Sequence, residues 1–523
     1  MSKTARLLQQ AMEQAEAGRA AEAIALCEQA VRSEPRNFLA LSLAALLEQG
    51  RGRHQEALVW AEKAVKAGPS NPQALSTAGT ILLALNRYAE AADRFRKALS
   101  VQPDLPGIHA QLAVALQKTG QLNEALASYR IALKQNPDAD LLSNFSGALE
   151  QSCEYEQATE VAQRALALQP QSAEALNHLG SALFGQGRVE EALQAHDRAL
   201  NLKPDHVEAR YNRSLVLLMA GDFARGWAEY EWRWRWSGFS TKRPDFPQPA
   251  WDGGDPGNRT ILVYGEQGIG DVIQFLRYVP LLARRGARVV LACPVELHQL
   301  VQGMEGVDHV VKPGEPIPAF DAHVAVMSLP SLLKTTLDNV PANIPYLPMP
   351  PAAKLPLASE PGGPLKVGIV WSGGNRYPKT RLRSTTLEQF LPLLRLPGIR
   401  FYSLQCGPRA ADLKTLPPDI HVEDLSGRLH DFACTAAAVG QLDVVISVCT
   451  SVLHLAGALG RPVWGVISHV PCWRWMRERT DSPWYPTLRL FRQLAPGDWP
   501  GVFVQIEAAL RQLTHSRSKQ PQP

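Results

Sequence analysis

The sequence predicts an α-helical solenoid followed by an α/β region, and two observations support that prediction. From residue 259 onward, short apolar runs alternate with helix-like stretches, which is typical of a parallel sheet built from β-α-β units. In the first half of the chain, proline recurs with a spacing of 33 or 34 residues: Pro35, Pro69, Pro103, Pro137, Pro170 and Pro204. A period of this length indicates a repeat architecture with one small structural unit per repeat.

Composition excludes several classes of protein. The chain has 523 residues, enough for more than one domain at about 100–200 residues each. Its formal charge of +4, from 54 Lys and Arg against 50 Asp and Glu, is too small to indicate sequence-independent binding to nucleic acid. No run approaches the ~20 apolar residues of a membrane helix, and the first residues lack the apolar core of a signal peptide. With seven cysteines and no export signal, we expect reduced thiols and a cytoplasmic location.

Small residues follow the proline period at three further positions. Two alanine series lie seven residues apart: Ala23, Ala57, Ala91, Ala125, Ala158 and Ala192, then Ala30, Ala64, Ala98, Ala132, Ala165 and Ala199. A third series lies twelve residues before the first: Ala11, Ala45, Gly79, Ala113, Ser146 and Gly180. Small side chains at facing positions let two helix backbones approach closely, and proline ends the second helix. Each repeat is therefore predicted to be a pair of antiparallel helices.

Units of this kind cannot bury their apolar faces alone, so neighbours stack into a superhelix with a concave groove. The pattern resembles the tetratricopeptide repeat, whose small, alanine and proline positions it matches six times over residues 2–204. That resemblance implies a scaffold that binds a protein or peptide in its groove. We predict a solenoid over residues 1–236, made of six repeats and a divergent capping repeat. The period reports packing only and does not identify what the groove binds.

The capping repeat contains the segment GWAEYEWRWRW, and a linker follows it. Trp227, Tyr230 and Trp234 are spaced to lie on one helical face. Interleaved tryptophan and arginine are compatible with nucleic-acid stacking, but we favour a capping helix that packs its aromatic face against the next domain. The Pro- and Gly-rich residues 237–258 are predicted to be an extended linker.

The second half is predicted to contain two doubly wound α/β domains, over residues 259–350 and 364–515. Strand candidates in the first are TILVYGE, ARVVLAC, VDHVV and FDAHVAVMSLP, and those in the second are KVGIVW, IRFYSLQ, IHVEDLS, DVVISV and PVWGVI. A proline-rich segment separates the two series, and residues 516–523 are predicted to be a disordered tail. Two such domains facing one another create a cleft at the carboxyl ends of both sheets, where these folds bind ligands.

Three loops carry candidate chemistry, and the first is GEQGIGD at residues 265–271. It follows a strand and opens a helix, so Gly268 and Gly270 let the backbone approach a ligand, and the helix N-terminus favours an anion. Its glycine spacing fits neither the Walker loop nor the dinucleotide-binding fingerprint. Asp271 begins the helix, where it is either a functional carboxylate or a plain capping residue, and spacing leaves both open.

The second loop is WSGGNRYPKTRLRS at residues 371–384, again directly after a strand. Ser372 and Gly373 precede a group of cations: Arg376, Lys379, Arg381 and Arg383. These cations are suited to neutralising a diphosphate through charge-assisted hydrogen bonds, and the alternative is a solvated basic loop.

The third loop belongs to VCTSVLHLAGALG at residues 448–460, another strand, turn and helix. The hydroxyls and amides of Thr450 and Ser451 lie where a phosphate would bind at a helix N-terminus. His454 is one turn into that helix and faces either the turn or the cleft. A satisfied structural histidine is the alternative to a functional one.

Long segments of this half resemble a known family. They are GEQGIGDVIQFLRYVPLL, KVGIVWSGG, DLSGRLHDFACTAAAVGQLDVVISVCTSVLHLAGALGRPVW and SPWYPTLRLFRQ, and they are similar to the glycosyltransferase half of bacterial tetratricopeptide proteins. That half is in turn similar to the ADP-heptose:lipopolysaccharide heptosyltransferases of glycosyltransferase family nine. The resemblance covers residues 251–515 and implies a GT-B fold, with two Rossmann-like domains, a nucleotide-sugar donor held mainly by the second, and no metal or other cofactor.

The resemblance also implies roles for individual residues. Asp271 corresponds to the general base that acts on the acceptor hydroxyl in an inverting transfer of a hexose or heptose, and the turn from Thr450 to His454 corresponds to a donor-phosphate motif. The basic loop would stabilise the leaving nucleoside diphosphate. The predicted donor-binding residues are Gly268, Gly270, Ser372, Gly373, Lys379, Arg381, Arg383, Thr450, Ser451 and His454.

This chain departs from the family pattern at three cysteines, Cys434, Cys449 and Cys472, where relatives commonly have aspartate. One interpretation is a degenerate donor site that has lost carboxylates needed for sugar hydroxyls. Others are a thiolate cluster that binds a metal with His469, or small apolar thiols in a relaxed pocket.

Two functions therefore compete. The first is a glycosyltransferase whose repeats recruit a protein or glycan acceptor, and the second is a non-catalytic interaction scaffold. No recognisable sequence pattern identifies the donor sugar, the base of its nucleotide, the acceptor or the oligomeric state.

Overall fold

The computed structural model describes residues 2–351, 354–358, 362–374 and 378–518. The chain divides into two compact units, residues 1–182 and 183–523. The division falls inside a helix of the sixth repeat, whereas the predicted solenoid runs to residue 236. The reason for the difference is that the last repeat packs against the α/β region, as described below. None of the helices in the described part of the chain combines the length and apolar character needed to cross a bilayer.

The first unit consists of helices that pack in consecutive pairs. They are α1 Lys3–Glu16, α2 Ala20–Ser33, α3 Phe38–Gly50, α4 His54–Ala67, α5 Pro72–Ala84, α6 Tyr88–Val101, α7 Ile108–Lys118, α8 Leu122–Gln135, α9 Ala139–Gln151, α10 Tyr155–Leu168 and the start of α11 Ala173–Gly185. Several first helices of a pair begin at a side-chain cap, such as Asn37, Asn71 and Asp138, which accepts a hydrogen bond from a backbone N–H three residues on. Each of these caps stabilises the first turn of a new helix at the start of a repeat.

The periodic small residues lie between the paired helices, as the spacing predicts. In the fifth repeat, Ser146 Oγ donates to the carbonyl oxygen of Ala158 at 2.8 Å, which joins one member of the small series to its alanine partner twelve residues later. Both alanine series are buried throughout the repeats, and their first members Ala23 and Ala30 are fully inaccessible. The period therefore reflects close approach of the two helices within each repeat.

Gly79 in α5 gives a testable measure of that close packing. A Cβ at this position would lie 2.5 Å from the ring of the fully buried Phe95. Gly79→Ala should therefore lower the free energy of unfolding by about 1–3 kcal/mol. Gly50→Ala in α3 is the matched control, because no atom lies within 4 Å of the added Cβ and alanine favours helix, so stability should stay constant or rise. Urea unfolding followed by circular dichroism measures both, and equal effects would contradict the packing argument.

The second unit begins with the last repeat helices: α12 Val189–Leu202, α13 Val207–Ala220 and α14 Phe223–Tyr230. A 3₁₀ turn, Glu231–Arg235, follows α14. Trp227 is buried and packs edge-on against Phe275 and Trp473, with ring centroids 5.7 and 5.1 Å apart. The aromatic face of α14 thus packs against the α/β region, in agreement with the capping-helix interpretation.

Residues 237–258, the predicted extended linker, contact the first sheet. Trp251 is buried, and its backbone N–H donates to the carbonyl oxygen of His323 at 2.8 Å. Ala250 forms a parallel bridge with His323, and the ring of Phe246 packs 5.0 Å from the His323 ring. The extended segment therefore lies along the edge of the first sheet, where Trp251 is buried and Phe246 packs on His323.

The first sheet is parallel and has the strand order β3-β2-β1-β4. Its strands are β1 Thr260–Tyr264, β2 Arg288–Ala292, β3 His309–Val310 and β4 Ala322–Ala325, which are the four predicted. The helices of this domain are α15 Ile269–Phe275, α16 Val279–Arg284, α17 His298–Val301 and α18 Leu329–Leu332. The central strand β1 is almost wholly buried, so the loop after it lies at the middle of the sheet edge.

The second sheet is parallel, with the order β10-β9-β8-β5-β6-β7. Its strands are β5 Leu365–Val370, β6 Ile399–Ser403, β7 Val422–Asp424, β8 Val444–Val448, β9 Val463–Ile467 and β10 Leu488–Arg492. The helices are α19 Leu391–Leu394, α20 Phe432–Val439, α21 Ser451–Ala458 and α22 Trp499–Ser518. Sequence analysis omitted β10, an edge strand in which arginines interrupt the apolar residues.

The predicted disordered tail at residues 516–523 is wrong over its first three residues. Helix α22 continues to Ser518, and Ser516 Oγ donates to the Gln512 carbonyl oxygen at 2.9 Å. Arg517 also pairs with Asp443 at 2.7 Å, which holds the last turn of the helix against the sheet domain. Residues 519–523 lie outside the described part of the chain.

Candidate functional site

The first glycine-rich turn connects β1 to α15 and positions Asp271. Gly268 is the residue before the helix, and its backbone N–H donates to Asp271 Oδ2 at 2.9 Å. The other carboxylate oxygen, Oδ1, accepts a hydrogen bond from Arg474 Nη2. The side chain of Asp271 is 22% exposed. Asp271 is thus the third residue of the helix, and each of its two oxygens already has a partner.

Gly270 lies where the two α/β domains meet. A Cβ at this position would lie 3.0 Å from the ring of His454 and 3.3 Å from Cα of Ser451. Few Cβ atoms in proteins lie this close to a neighbouring atom, so the two turns can approach each other because residue 270 is glycine. The turns after β1 and β8, one in each domain, are therefore in contact at the carboxyl ends of the two sheets.

In the second loop, Ser372 and Gly373 are held by neighbours within their own domain. The backbone N–H of Ser372 donates to Gln405 Oε1 at 2.9 Å, and Gln405 Nε2 donates back to the Ser372 carbonyl oxygen at 3.1 Å. Ser372 is buried, and its hydroxyl donates to the Gly373 carbonyl oxygen. The Gly373 N–H donates to Ser384 Oγ at 3.1 Å. These bonds fix the start of the loop and use the Ser372 amide, a role for Gln405 that sequence analysis missed.

The described cations of this loop occupy the 3₁₀ turn Pro378–Arg383. Lys379 and Arg381 are exposed, whereas Arg383 is half-buried. Arg383 Nε is buried and has no hydrogen-bond partner within the described residues. The positive charge of Arg383 is one of the influences that lower the pKa of Cys449, the residue before Thr450. Residues 375–377, including the predicted Arg376, lie outside the described part of the chain.

The third turn connects β8 to α21. Thr450 is the residue before the helix, and its Oγ1 lies 3.0 Å from Ser447 Oγ. His454 is buried, its Nδ1 lies 2.9 Å from the Tyr485 hydroxyl, and its ring stacks 5.3 Å from that of Trp475. Burial lowers the pKa of His454, so its imidazole is neutral near pH 7. The histidine faces the other domain at Gly270 and is also satisfied within its own.

Of the three cysteines that depart from the family pattern, two lie together beside this turn. The Trp475 indole N–H donates to Cys449 Sγ at 3.2 Å, and hydrogen bonding with Cys472 lowers the pKa of the Cys449 thiol. Cys434 belongs to α20, where its backbone N–H donates to Asp431. Within the described residues, no three or more His, Cys, Asp or Glu side chains are placed to hold a metal ion. The residue proposed as a fellow ligand, His469, instead bonds to Gln493.

Sequence analysis missed two arginines that hold the first glycine-rich turn from either end. Arg474 pairs with Asp271 and donates through Nε to Gln274. Arg233 has a fully inaccessible side chain and makes a two-bond ion pair with Glu266, at 2.9 and 2.7 Å. Each arginine is the centre of a Trp-Arg-Trp tripeptide, at residues 232–234 and 473–475. The tripeptide also occurs at residues 234–236, where Arg235 is exposed, so this pattern alone does not distinguish the buried arginines.

Tyr211 brings the last repeat to the same place. It belongs to α13, and its ring stacks on Trp236 with centroids 4.9 Å apart. Burial raises the pKa of its phenol to about 12, and the nearby charges of Arg233, Lys379 and Asp271 act on it as well. The site therefore combines one repeat helix with turns from both sheet domains.

Comparison with known proteins defines the first part of the chain. A tetratricopeptide-repeat family model matches residues 1–171, and a second such model matches residues 147–205. Residues 1–205 therefore carry tetratricopeptide repeats, and that part of the prediction is confirmed.

One curated relative aligns with this chain over more residues than the repeats contain. The chain is 26% identical over 337 residues to protein FlbA of Caulobacter vibrioides, an alignment that covers 59% of this chain and 55% of FlbA. The chain thus spans about half the length of that relative. Similar solved structures include YrrB, a TPR protein with an unusual peptide-binding site (24% identity, TM-score 0.33, 36% of this chain and 98% of YrrB). Another is PilW, a type IV pilus biogenesis factor (21% identity, TM-score 0.36, 40% and 98%).

Proposed function

We propose that this chain is a glycosyltransferase of the GT-B type that moves a sugar from a nucleotide-sugar donor to a protein or glycan acceptor recruited by its repeats. The observation that carries the proposal is the contact between the turns after β1 and β8 at Gly270. It brings the turn that carries the candidate base Asp271 against the turn at Thr450 and Ser451, and the charge of Arg383 acts on the adjacent Cys449. Ligands of parallel α/β domains bind at this end of the sheets.

The proposed reaction assigns a role to each group. Asp271 accepts the proton of the acceptor hydroxyl while the hydroxyl oxygen forms a bond to the anomeric carbon of the sugar. The bond from that carbon to the nucleoside diphosphate breaks, and the leaving oxygen carries the electron pair. Arg383 and Lys379 are the cations that offset the negative charge on the diphosphate, and the buried, unpartnered Nε of Arg383 supports this role.

The second candidate function, a non-catalytic scaffold, is favoured by the partners of Asp271. One oxygen of Asp271 accepts from Gly268 and the other from Arg474, which are the contacts of a capping and ion-pairing residue. In the transferase, the acceptor hydroxyl would have to reach one of the lone pairs that these two partners leave open. In the scaffold, the same ion pair would only join the two domains.

A thermal-shift screen separates the two functions. Nucleoside diphosphates and nucleotide sugars are added to the full chain, and a ligand at one hundred times its Kd should stabilise the unit that binds it by about 2.7 kcal/mol. If the chain is a transferase, a donor should raise its melting temperature, and Arg383→Ala should abolish that rise. Arg395→Ala is the matched control, because Arg395 is an exposed cation of the same domain that faces Asp419, and the shift should persist. No shift with any donor would favour the scaffold.

A further inference from the structure

Cys449 and Cys472 lie on neighbouring elements at the carboxyl end of the second sheet. Cys449 directly follows β8, and Cys472 lies in the loop after β9, the strand paired with β8. The 3₁₀ turn Trp473–Trp475 then carries the chain back, so that the Trp475 indole donates to Cys449 Sγ at 3.2 Å. The turn is closed by the Trp475 N–H, which donates to the Cys472 carbonyl oxygen at 3.1 Å, so the residue that contacts Cys449 Sγ lies one tight turn from Cys472.

The surroundings of Cys449 stabilise a thiolate. A hydrogen bond from the Cys472 thiol, with further contributions from His454 and Arg383, holds the pKa of Cys449 well below its usual value although burial opposes this. The same hydrogen bond, followed by burial, raises the pKa of Cys472 well above its usual value. One sulfur is therefore the nucleophile and the other remains a thiol in contact with it, which is the arrangement of an attacking and a resolving cysteine.

We propose that Cys449 and Cys472 are a redox modification site that forms a reversible disulfide on reaction with a peroxide. The Cys449 thiolate attacks one peroxide oxygen, the O–O bond breaks, and hydroxide leaves, so that the sulfur becomes a sulfenic acid. Cys472 then attacks Cys449 Sγ, its proton and the sulfenic hydroxyl leave as water, and the S–S bond forms. In total, two thiols and one hydrogen peroxide give one disulfide and two waters.

Size and position suit a small oxidant. Cys449 is 7% exposed and Cys472 is partly exposed, so hydrogen peroxide fits better than a bulky disulfide. The bridge would remove the negative charge of Cys449 and draw residue 472 towards β8. Arg474 Nη1 lies 4.0 Å from Cys472 Sγ, and the same guanidinium pairs with Asp271. Oxidation would therefore alter the Asp271 ion pair, an effect on activity that rests on the proposed function, whereas formation of the bridge does not.

Mass spectrometry of the full chain tests the bridge directly. Trypsin leaves Cys434, Cys449 and Cys472 in one peptide, residues 429–474, because Arg461 precedes proline. After treatment with hydrogen peroxide and alkylation, one cysteine of this peptide should carry the alkyl label, compared with three in the untreated protein. The two bridged cysteines should together have lost two hydrogens. Dithiothreitol should restore all three labels. Cys406 is exposed as a residue, but partial desolvation of its thiol and the nearby Asp424 raise its pKa, so it should react with peroxide about tenfold or more slowly.

Three variants identify the partners. Cys434→Ser should keep the bridge, and Cys449→Ala and Cys472→Ala should each abolish it. A bridge that persists without Cys449 or Cys472 would overturn the proposal, as would wild-type protein that loses no label or is oxidised at Cys406 first. Because the wild type and Cys434→Ser suffice for this decision, a folding defect in the other variants leaves the test intact. A bridge without any nucleotide-sugar response would retain the redox site and reject only the transferase.

Discussion

Asp271→Asn should reduce glycosyl transfer by about 10²–10⁴-fold, the range for loss of a general base. The amide is nearly the same size and can still accept the Gly268 N–H bond, so the helix start should remain. It cannot accept a proton from the acceptor hydroxyl at neutral pH. We expect kcat to fall while the Kd of the donor changes little, because most of the predicted donor contacts belong to the other domain and the Asp271 side chain is not among them. Initial rates at saturating donor, together with donor titrations, measure both quantities.

The loss of the Arg474 ion pair must be separated from the loss of the base. Asp321→Asn is the matched control, because Asp321 accepts the Thr260 N–H at 2.7 Å at the opposite end of β1 and should leave transfer nearly unchanged. Arg474→Met breaks the pair and retains the carboxylate of Asp271. If Asp271→Asn kept the wild-type rate, or if Arg474→Met removed activity to the same extent, Asp271 would be a capping and ion-pairing residue only.

The repeats were predictable because their period records a local contact. Ser146 and Ala158 are twelve residues apart, and one hydrogen bond joins them. Every packing constraint of this kind lies within one repeat, so a short stretch of sequence contains both partners. The same holds for the buried strands β1 and β8, whose continuous apolar runs appear in the sequence. The edge strand β10 lacks such a run and was missed.

The site was predictable loop by loop but not as an assembly. The loops that lead to Asp271, Ser372 and Thr450 each follow a strand, which is a local pattern. Which loops meet depends on domain packing, and Arg474 and Asp271 are 203 positions apart. Nothing near either residue specifies the other, because a Trp-Arg-Trp tripeptide surrounds the buried Arg233 and Arg474 but also the exposed Arg235. Each of the two buried arginines pairs with one carboxylate of the same turn, and only the folded structure shows this.

Arg233→Ala should lower the free energy of unfolding of the second unit by about 3–5 kcal/mol, the cost of breaking a buried ion pair from one side. Arg233 and Glu266 both have fully inaccessible side chains, and Arg233 also donates to Ser328 Oγ at 2.7 Å. Removing the guanidinium leaves the Glu266 carboxylate buried without its main partner. Eleven of the twelve tryptophans lie in residues 183–523, so urea unfolding followed by tryptophan fluorescence reports on this unit.

The neighbouring Arg235 provides the control. It is exposed on the same 3₁₀ turn and lies over the Trp232 ring at 4.6 Å, so Arg235→Ala should change stability by about 0.5 kcal/mol or less. Replacing both partners, as Arg233→Met with Glu266→Leu, removes the uncompensated charge and should recover much of the loss, because an apolar pair of similar volume avoids the desolvation of two ions. If Arg233→Ala cost no more than Arg235→Ala, the buried pair would not be what attaches the last repeat to the first glycine-rich turn.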